Sequence, residues 1–114
     1  MLDLVIPVYK NIAGLYRSLF SIGTEVGDKI FVTIVDDCSG DNYDDVINFF
    51  QKFFPIRVIY LKENGGPGIA RQIGLEKATQ PYISFLDCGD VYVSPTRLKE
   101  CLQDVADNPS SVLF

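Results

Sequence analysis

The sequence predicts an α/β domain, a mostly parallel sheet with helices on both faces in a three-layer α/β/α arrangement. Three observations carry that expectation. Apolar runs of strand length alternate with stretches whose apolar residues recur at helical spacing, in the order β-α-β-α-β-α-β-α-β; such an order needs crossover connections, which join parallel strands. The 114 residues, 47% of them hydrophobic, suffice for one domain with a true core. The unusual polar residues gather just after the strands, where open parallel sheets bind their ligands.

Each element has its own signal. Leu2–Val8 is a run rich in β-branched residues, closed by Pro7 and a polar turn. Asn11 then offers an N-cap, and Ile12, Leu15, Tyr16, Leu19 and Phe20 recur at helical spacing until Gly27-Asp28 interrupts them. Ile30–Val35 is a second buried strand ending on Asp36-Asp37. Val46, Ile47, Phe49, Phe50 and Phe53 predict a second helix that stops before Pro55, with the aromatic pairs in the core or at its edge. Ile56–Leu61 is a third strand, running into the turn Glu63-Asn64-Gly65-Gly66.

Pro67 suits the first turn of a third helix, with Ile69, Ala70, Ile73 and Leu75 as its expected inner face. Pro81–Leu86 is the fourth strand and leads into Asp87-Cys88-Gly89-Asp90. Ser94-Pro95 opens an expected fourth helix through Leu98, Cys101, Leu102 and Val105; Asn108-Pro109 ends it, and Ser111–Phe114 begins a further strand.

Composition narrows the chemistry. With no histidine, a Ser-His-Asp triad, a Cys-His dyad and a histidine metal site are all excluded within this chain. Ten basic against fifteen acidic residues give a net charge of −5, which argues against nucleic acid as a partner. Cys38, Cys88 and Cys101 show no C-x-x-C spacing, so they read as free thiols of a reducing compartment, and a cytoplasmic location is the expectation. No apolar run approaches the ~18 residues of a membrane span, and the N-terminus reads as a strand rather than a signal peptide.

The strand ends carry Tyr9 and Lys10, Asp36 and Asp37, Lys62 to Asn64, and Asp87 with Asp90. Carboxylates three apart in a turn, as in Asp87-x-x-Asp90, can hold one Mg²⁺ or Mn²⁺ that keeps most of its waters and takes substrate phosphates. They can equally cap the turn and face solvent. Asp36-Asp37 can bond a ribose hydroxyl or a base N–H, or mark a strand-to-loop transition only. Gly66-Pro67-Gly68-Ile69-Ala70-Arg71 has neither the third glycine of a dinucleotide fingerprint nor the Gly-Lys-Ser/Thr of a P-loop. What it offers is a helix N-terminus with free N–H groups and Arg71 in its first turns, a reasonable anion site. A receiver-like reading fails because the acidic pair follows the second strand, and a dehalogenase-type phosphatase fails because Asp87 and Asp90 stand one residue too far apart.

Four segments occur in order: Val5-Ile6-Pro7-Val8-Tyr9, Val35-Asp36-Asp37-Cys38-Ser39-Gly40-Asp41, Asn64-Gly65-Gly66-Pro67-Gly68-Ile69-Ala70-Arg71-Gln72-Ile73-Gly74, and Phe85-Leu86-Asp87-Cys88-Gly89-Asp90. Each alone is common. Together, over essentially the whole chain, they resemble the N-terminal, nucleotide-sugar-binding half of a family 2 glycosyltransferase with the Rossmann-like GT-A fold.

The resemblance implies an enzyme that transfers a sugar, usually with inversion, from a nucleotide diphosphate-sugar with Mn²⁺ or Mg²⁺. It implies that Pro7 and Tyr9 border the nucleoside, that Asp37 bonds the base with Asp36 supporting it, and that Arg71 lies near the nucleotide. Asp90 becomes the leading metal ligand and Asp87 its partner. Gly89 stands where the family commonly has a further Asp, and Gln72 where it has Asn. Residues 1–114 then form a single domain cut short on its C-terminal side. The catalytic base and the acceptor-binding elements (for a saccharide, lipid or protein) are expected beyond Phe114, and the fragment alone is expected to be inactive. The alternative is a non-catalytic nucleotide- or sugar-binding α/β domain, which the missing acid at Gly89 could accompany.

Overall fold

The computed structural model describes residues 2–23 and 26–92, together with Gln103. The expected fourth helix, apart from the helical Gln103, and the strand expected at Ser111–Phe114 lie outside the described residues. Within them the order is β1 (Leu2–Val8), α1 (Ile12–Ile22), a short 3₁₀ turn (Gly27–Lys29), β2 (Ile30–Asp36), α2 (Asp44–Phe50), β3 (Ile56–Tyr60), α3 (Gly66–Glu76) and β4 (Tyr82–Phe85). The strands stand in the order β3-β2-β1-β4, and every pairing is parallel. The chain moves outward from β1 through β2 to β3, then crosses back to place β4 on the other side of β1. That reversal is the switch point at which an α/β sheet opens a crevice.

Alternation along the strands divides the core in two. Leu4, Ile6 and Val8 of β1 and Ile30, Val32 and Ile34 of β2 face α1 and α2, packing with Leu15, Leu19, Ile22, Val46 and Phe50. Val5 and Val35 face the opposite layer, against Ala70 of α3. β1, the central strand, is buried along its whole length, as a strand covered on both faces must be. Asn11 caps α1 as expected, its Oδ1 accepting the Gly14 N–H at 3.0 Å.

The expected inner face of α3 is corrected, and one residue of the α1 pattern lies outward. On α3, Ala70 is buried and Ile73 half-buried, whereas Ile69 and Leu75 are 49% and 52% exposed. The inward stripe is Ala70 and Gly74, one turn apart, because α3 runs so close over β1 that a Cβ on Gly74 would enter the Val5 side chain. On α1, Phe20 is 58% exposed and lies at the outer rim, edge-on to Phe49 and Phe50 with ring centroids 5.6 and 5.0 Å away. The aromatic run otherwise behaves as its spacing predicts, with Phe50 and Phe54 buried.

At the other end of the sheet Asp3 is fully buried, and its Oδ2 accepts the N–H groups of Thr79 and Gln80 at 2.8 and 2.6 Å. It thereby sets the entry into β4. Among the described residues no helix is long and apolar enough to cross a membrane.

Candidate functional site

The carboxyl ends of β1, β2 and β4 and the first turns of α3 converge on one edge of the sheet. Asp37 N–H donates to Val8 C=O at 2.9 Å and Leu61 N–H to Asp36 C=O at 2.9 Å, which holds the ends of β1, β2 and β3 level. Beyond Val8 the chain turns sharply, with Lys10 in the left-handed region at φ 49°. Tyr9 is left 47% exposed, the Lys10 ammonium 5.3 Å from its ring centroid.

The two acids after β2 part company. Asp36 turns toward the α1–α2 layer. Its Oδ1 accepts from the Tyr43 hydroxyl at 2.6 Å and the Ser39 hydroxyl at 2.5 Å, and its Oδ2 accepts the Ser39 N–H at 3.2 Å. It is a buried anchor for the loop that follows β2. Tyr43, fully buried, has its pKa raised, first by burial and then by the hydrogen bond to Asp36.

Asp37 turns the other way. Its Oδ1 accepts the Gly65 N–H at 2.8 Å and its Oδ2 the Gly66 N–H at 2.9 Å. The expected free N–H groups at the start of this helix are therefore already engaged at Gly65 and Gly66, and Pro67 has none to give. An internal carboxylate neutralises the positive end of the α3 dipole, so an arriving phosphate would meet negative charge there.

Pro7, Val8, Tyr9, Asp37, Pro67 and Ala70 line a pocket of about 170 Å³. Pro7 and Tyr9, expected to border a nucleoside, and Asp37, expected to bond its base, thus share one pocket, and Asp36 is not in its wall. The walls are mainly apolar, and Asp37 supplies an acceptor whose remaining lone pairs are not used by the two amides.

Arg71, one turn into α3, forms an ion pair with Asp87 beyond β4. The side chains are 38% and 57% exposed, so the pair meets solvent. Asp90 follows one turn later; its N–H donates to Asp87 C=O at 2.9 Å, and its carboxylate is exposed. Gly89 between them takes φ 99°, a conformation that favours glycine. Burial pushes the Cys88 thiol up to about 11, against the opposing pull of Arg17.

Among the described residues, no group of three or more His, Cys, Asp or Glu gathers into a ready-made metal cage. What is present fits a looser arrangement, in which one or two carboxylates share a hard cation with substrate phosphates and water. Asp90 and Asp87 have the right chemistry for that, with Asp87 exchanging its pairing with Arg71.

Sequence reasoning missed Ser18 and Ser21, which tie α1 to the segment after β4. Ser18 is fully buried, donating to Asp90 C=O at 2.6 Å and accepting the Gly89 N–H at 2.9 Å. Ser21 accepts the Tyr92 N–H at 3.1 Å. The signal was available, since Ser18 falls within the stripe of Leu15, Leu19 and Ile22, and a polar residue on a buried face calls for a partner.

Comparison with known proteins identifies relatives that share this fold. An uncharacterized glycosyltransferase of Haemophilus influenzae is 30% identical over 109 residues, which is 95% of this chain and 43% of that protein. The crystal structure of TarS 1-349 from Staphylococcus aureus superposes with a TM-score of 0.80 at 25% identity, covering 95% of this chain and 33% of that one. TarS 1-349 has also been solved in complex with UDP and with UDP-GlcNAc. The mannosyltransferase PcManGT of Pyrobaculum calidifontis, solved with GDP-Man and Mn²⁺, shares the fold with a TM-score of 0.76 at 17% identity, over 94% of this chain and 32% of that one. The chain spans less than half the length of these relatives. The glycosyl transferase family 2 model matches residues 3–114; with a GT-A fold and the four strand-end segments meeting at one edge, the chain belongs to that family.

Proposed function

We propose that this chain is the donor-binding part of an inverting glycosyltransferase that draws a sugar from a nucleotide diphosphate-sugar. The observation that carries the reading is the pocket of Pro7, Tyr9 and Asp37 at the sheet edge where Arg71 of α3 pairs with Asp87 beyond β4. The pocket has apolar walls and one anionic acceptor, which suits a base presenting an N–H. The same edge of the sheet carries a cation, Arg71, and two carboxylates, Asp87 and Asp90, which suits a diphosphate with its counter-ion. The TarS complexes with UDP and UDP-GlcNAc support a nucleotide sugar as the ligand class.

In this reading Tyr9 and Pro67 wall the nucleoside, and Asp37 accepts from the base while still holding α3. Arg71 offers its guanidinium to the diphosphate. Asp90, with Asp87, would hold Mn²⁺ or Mg²⁺, which when bound balances the charge that develops on a departing nucleoside diphosphate.

Titration calorimetry of the full-length protein with UDP and GDP, with and without Mn²⁺, tests the reading. Binding that strengthens with Mn²⁺ and is lost in Asp90→Ala is the expected result. Nucleotide binding indifferent to Mn²⁺ would favour a non-catalytic nucleotide-binding domain, and no nucleotide binding would overturn both.

A further inference from the structure

We propose that Ser18 and Ser21 of α1 are positioning residues for the acidic turn after β4, setting the direction in which Asp90 presents its carboxylate. The proposal rests on the functional reading above. Within the turn the Asp90 N–H donates to Asp87 C=O at 2.9 Å, but Asp90 is exposed and its neighbour Gly89 is conformationally permissive, so the turn alone leaves the direction of the carboxylate loosely set.

α1 supplies the missing constraint. One buried hydroxyl, Ser18 Oγ, bonds both sides of the same peptide neighbourhood: it accepts the Gly89 N–H at 2.9 Å and donates to Asp90 C=O at 2.6 Å. Two bonds from one atom, made 71 and 72 residues away in sequence, hold the peptide unit before Gly89 and the one after Asp90, and so bracket the Gly89-Asp90 backbone. A turn further on, Ser21 accepts the Tyr92 N–H at 3.1 Å and anchors itself by donating to Ser18 C=O at 2.6 Å. On the other flank the Cys88 thiol donates to Asn11 C=O at 3.3 Å. The segment 88–92 is thus held from α1 at three points.

Space does not dictate Gly89, because a Cβ there would make only an ordinary 3.8 Å approach to Asn11 Nδ2. The φ of 99° does, and it is the conformation that brings the Gly89 N–H and the Asp90 C=O to one hydroxyl. Serine at 18 and glycine at 89 are therefore two halves of one device.

The test is Mn²⁺ binding to the full-length protein in the presence of UDP, read from the free-ion signal in electron paramagnetic resonance. Circular dichroism and thermal melting run alongside. Ser18→Ala is expected to weaken Mn²⁺ binding by about tenfold, the size of effect that two lost hydrogen bonds carry, and to leave UDP affinity without Mn²⁺ unchanged. Ser21→Ala should move in the same direction by less, and Ser21→Thr should restore binding. Should Ser18→Ala not fold, the Ser21 pair decides by the same readout. Unchanged Mn²⁺ affinity in the serine variants, with loss in Asp90→Ala, would overturn the positioning role and leave the site reading intact. An equal loss of UDP affinity with and without Mn²⁺ would also overturn it, as general damage to the fold. Undiminished Mn²⁺ binding in Asp90→Ala would overturn the site reading and the positioning role together.

Discussion

Asp37 accepts the amide hydrogen of Gly66 at 2.9 Å across 29 residues of sequence, so the last acid of the β2 end fixes the first turn of α3. With Gly65 taken by the other oxygen at 2.8 Å, this carboxylate is both a wall of the pocket and the cap of the helix that forms the opposite wall. Asp37→Asn leaves one acceptor oxygen and turns an NH₂ toward the second amide. We expect a stability loss of about 1.5–3 kcal/mol, the worth of a hydrogen bond to a charged acceptor, measured by urea unfolding. UDP affinity should fall in the same variant even at temperatures where it is fully folded.

The approach of α3 to β1 makes a second prediction. Gly74→Ala adds a Cβ inside the space of Val5, and overpacking of this kind costs about 1–3 kcal/mol. The gain in helix propensity, up to about 1 kcal/mol, offsets only part of that. Val5→Ala creates room at the same place, so the double variant should be more stable than the sum of the single changes implies. A double-mutant cycle by denaturant unfolding reads that coupling.

How far these features were legible follows from their range along the chain. The four strands declare themselves as apolar runs, and Asn11 declares the start of α1, because those signals are local. Pro7, Tyr9 and Asp37 could be brought together because parallel strands put all their carboxyl ends on one edge. The inward face of α3 could not be read, since the choice of Ala70 and Gly74 over Ile69 and Leu75 depends on how closely a helix approaches a strand some seventy residues earlier. The split between Asp36 and Asp37 was equally hidden. Adjacent residues at a strand end point to opposite layers, and which layer offers partners is decided by Tyr43 on one side and Gly65 on the other.

The Arg71–Asp87 pair separates stability from binding. Both side chains are more than a third exposed, and exposed ion pairs contribute about 0–1 kcal/mol. Asp87→Asn should therefore shift the urea midpoint little. The same substitution removes a candidate metal oxygen and frees Arg71, so Mn²⁺-dependent binding of UDP should weaken by about tenfold or more. Metal-free UDP affinity should hold or rise. A large loss of stability with unaltered metal dependence would instead make the pair a structural clamp.

Tyr43 gives the fold an alkaline limit. Its hydroxyl donates to Asp36 Oδ1 at 2.6 Å in a fully buried setting, and its pKa is raised above the usual 10.0, by burial first and by that carboxylate next. A pKa raised on folding means that the native state keeps the proton while the unfolded chain loses it. The contribution is fully present below pH 10.0 and is lost progressively as pH climbs above it. Tyr43→Phe leaves Asp36 short of one donor, so near neutral pH it should cost about 1–3 kcal/mol. The variant should also lose this group's share of the alkaline dependence, so that the stability gap to the parent protein narrows as pH rises past 10.0. Denaturant midpoints for the two proteins, compared at neutral pH and at increments above 10.0, check both the size and the sign; a gap that widens with pH would show that another group sets the alkaline limit.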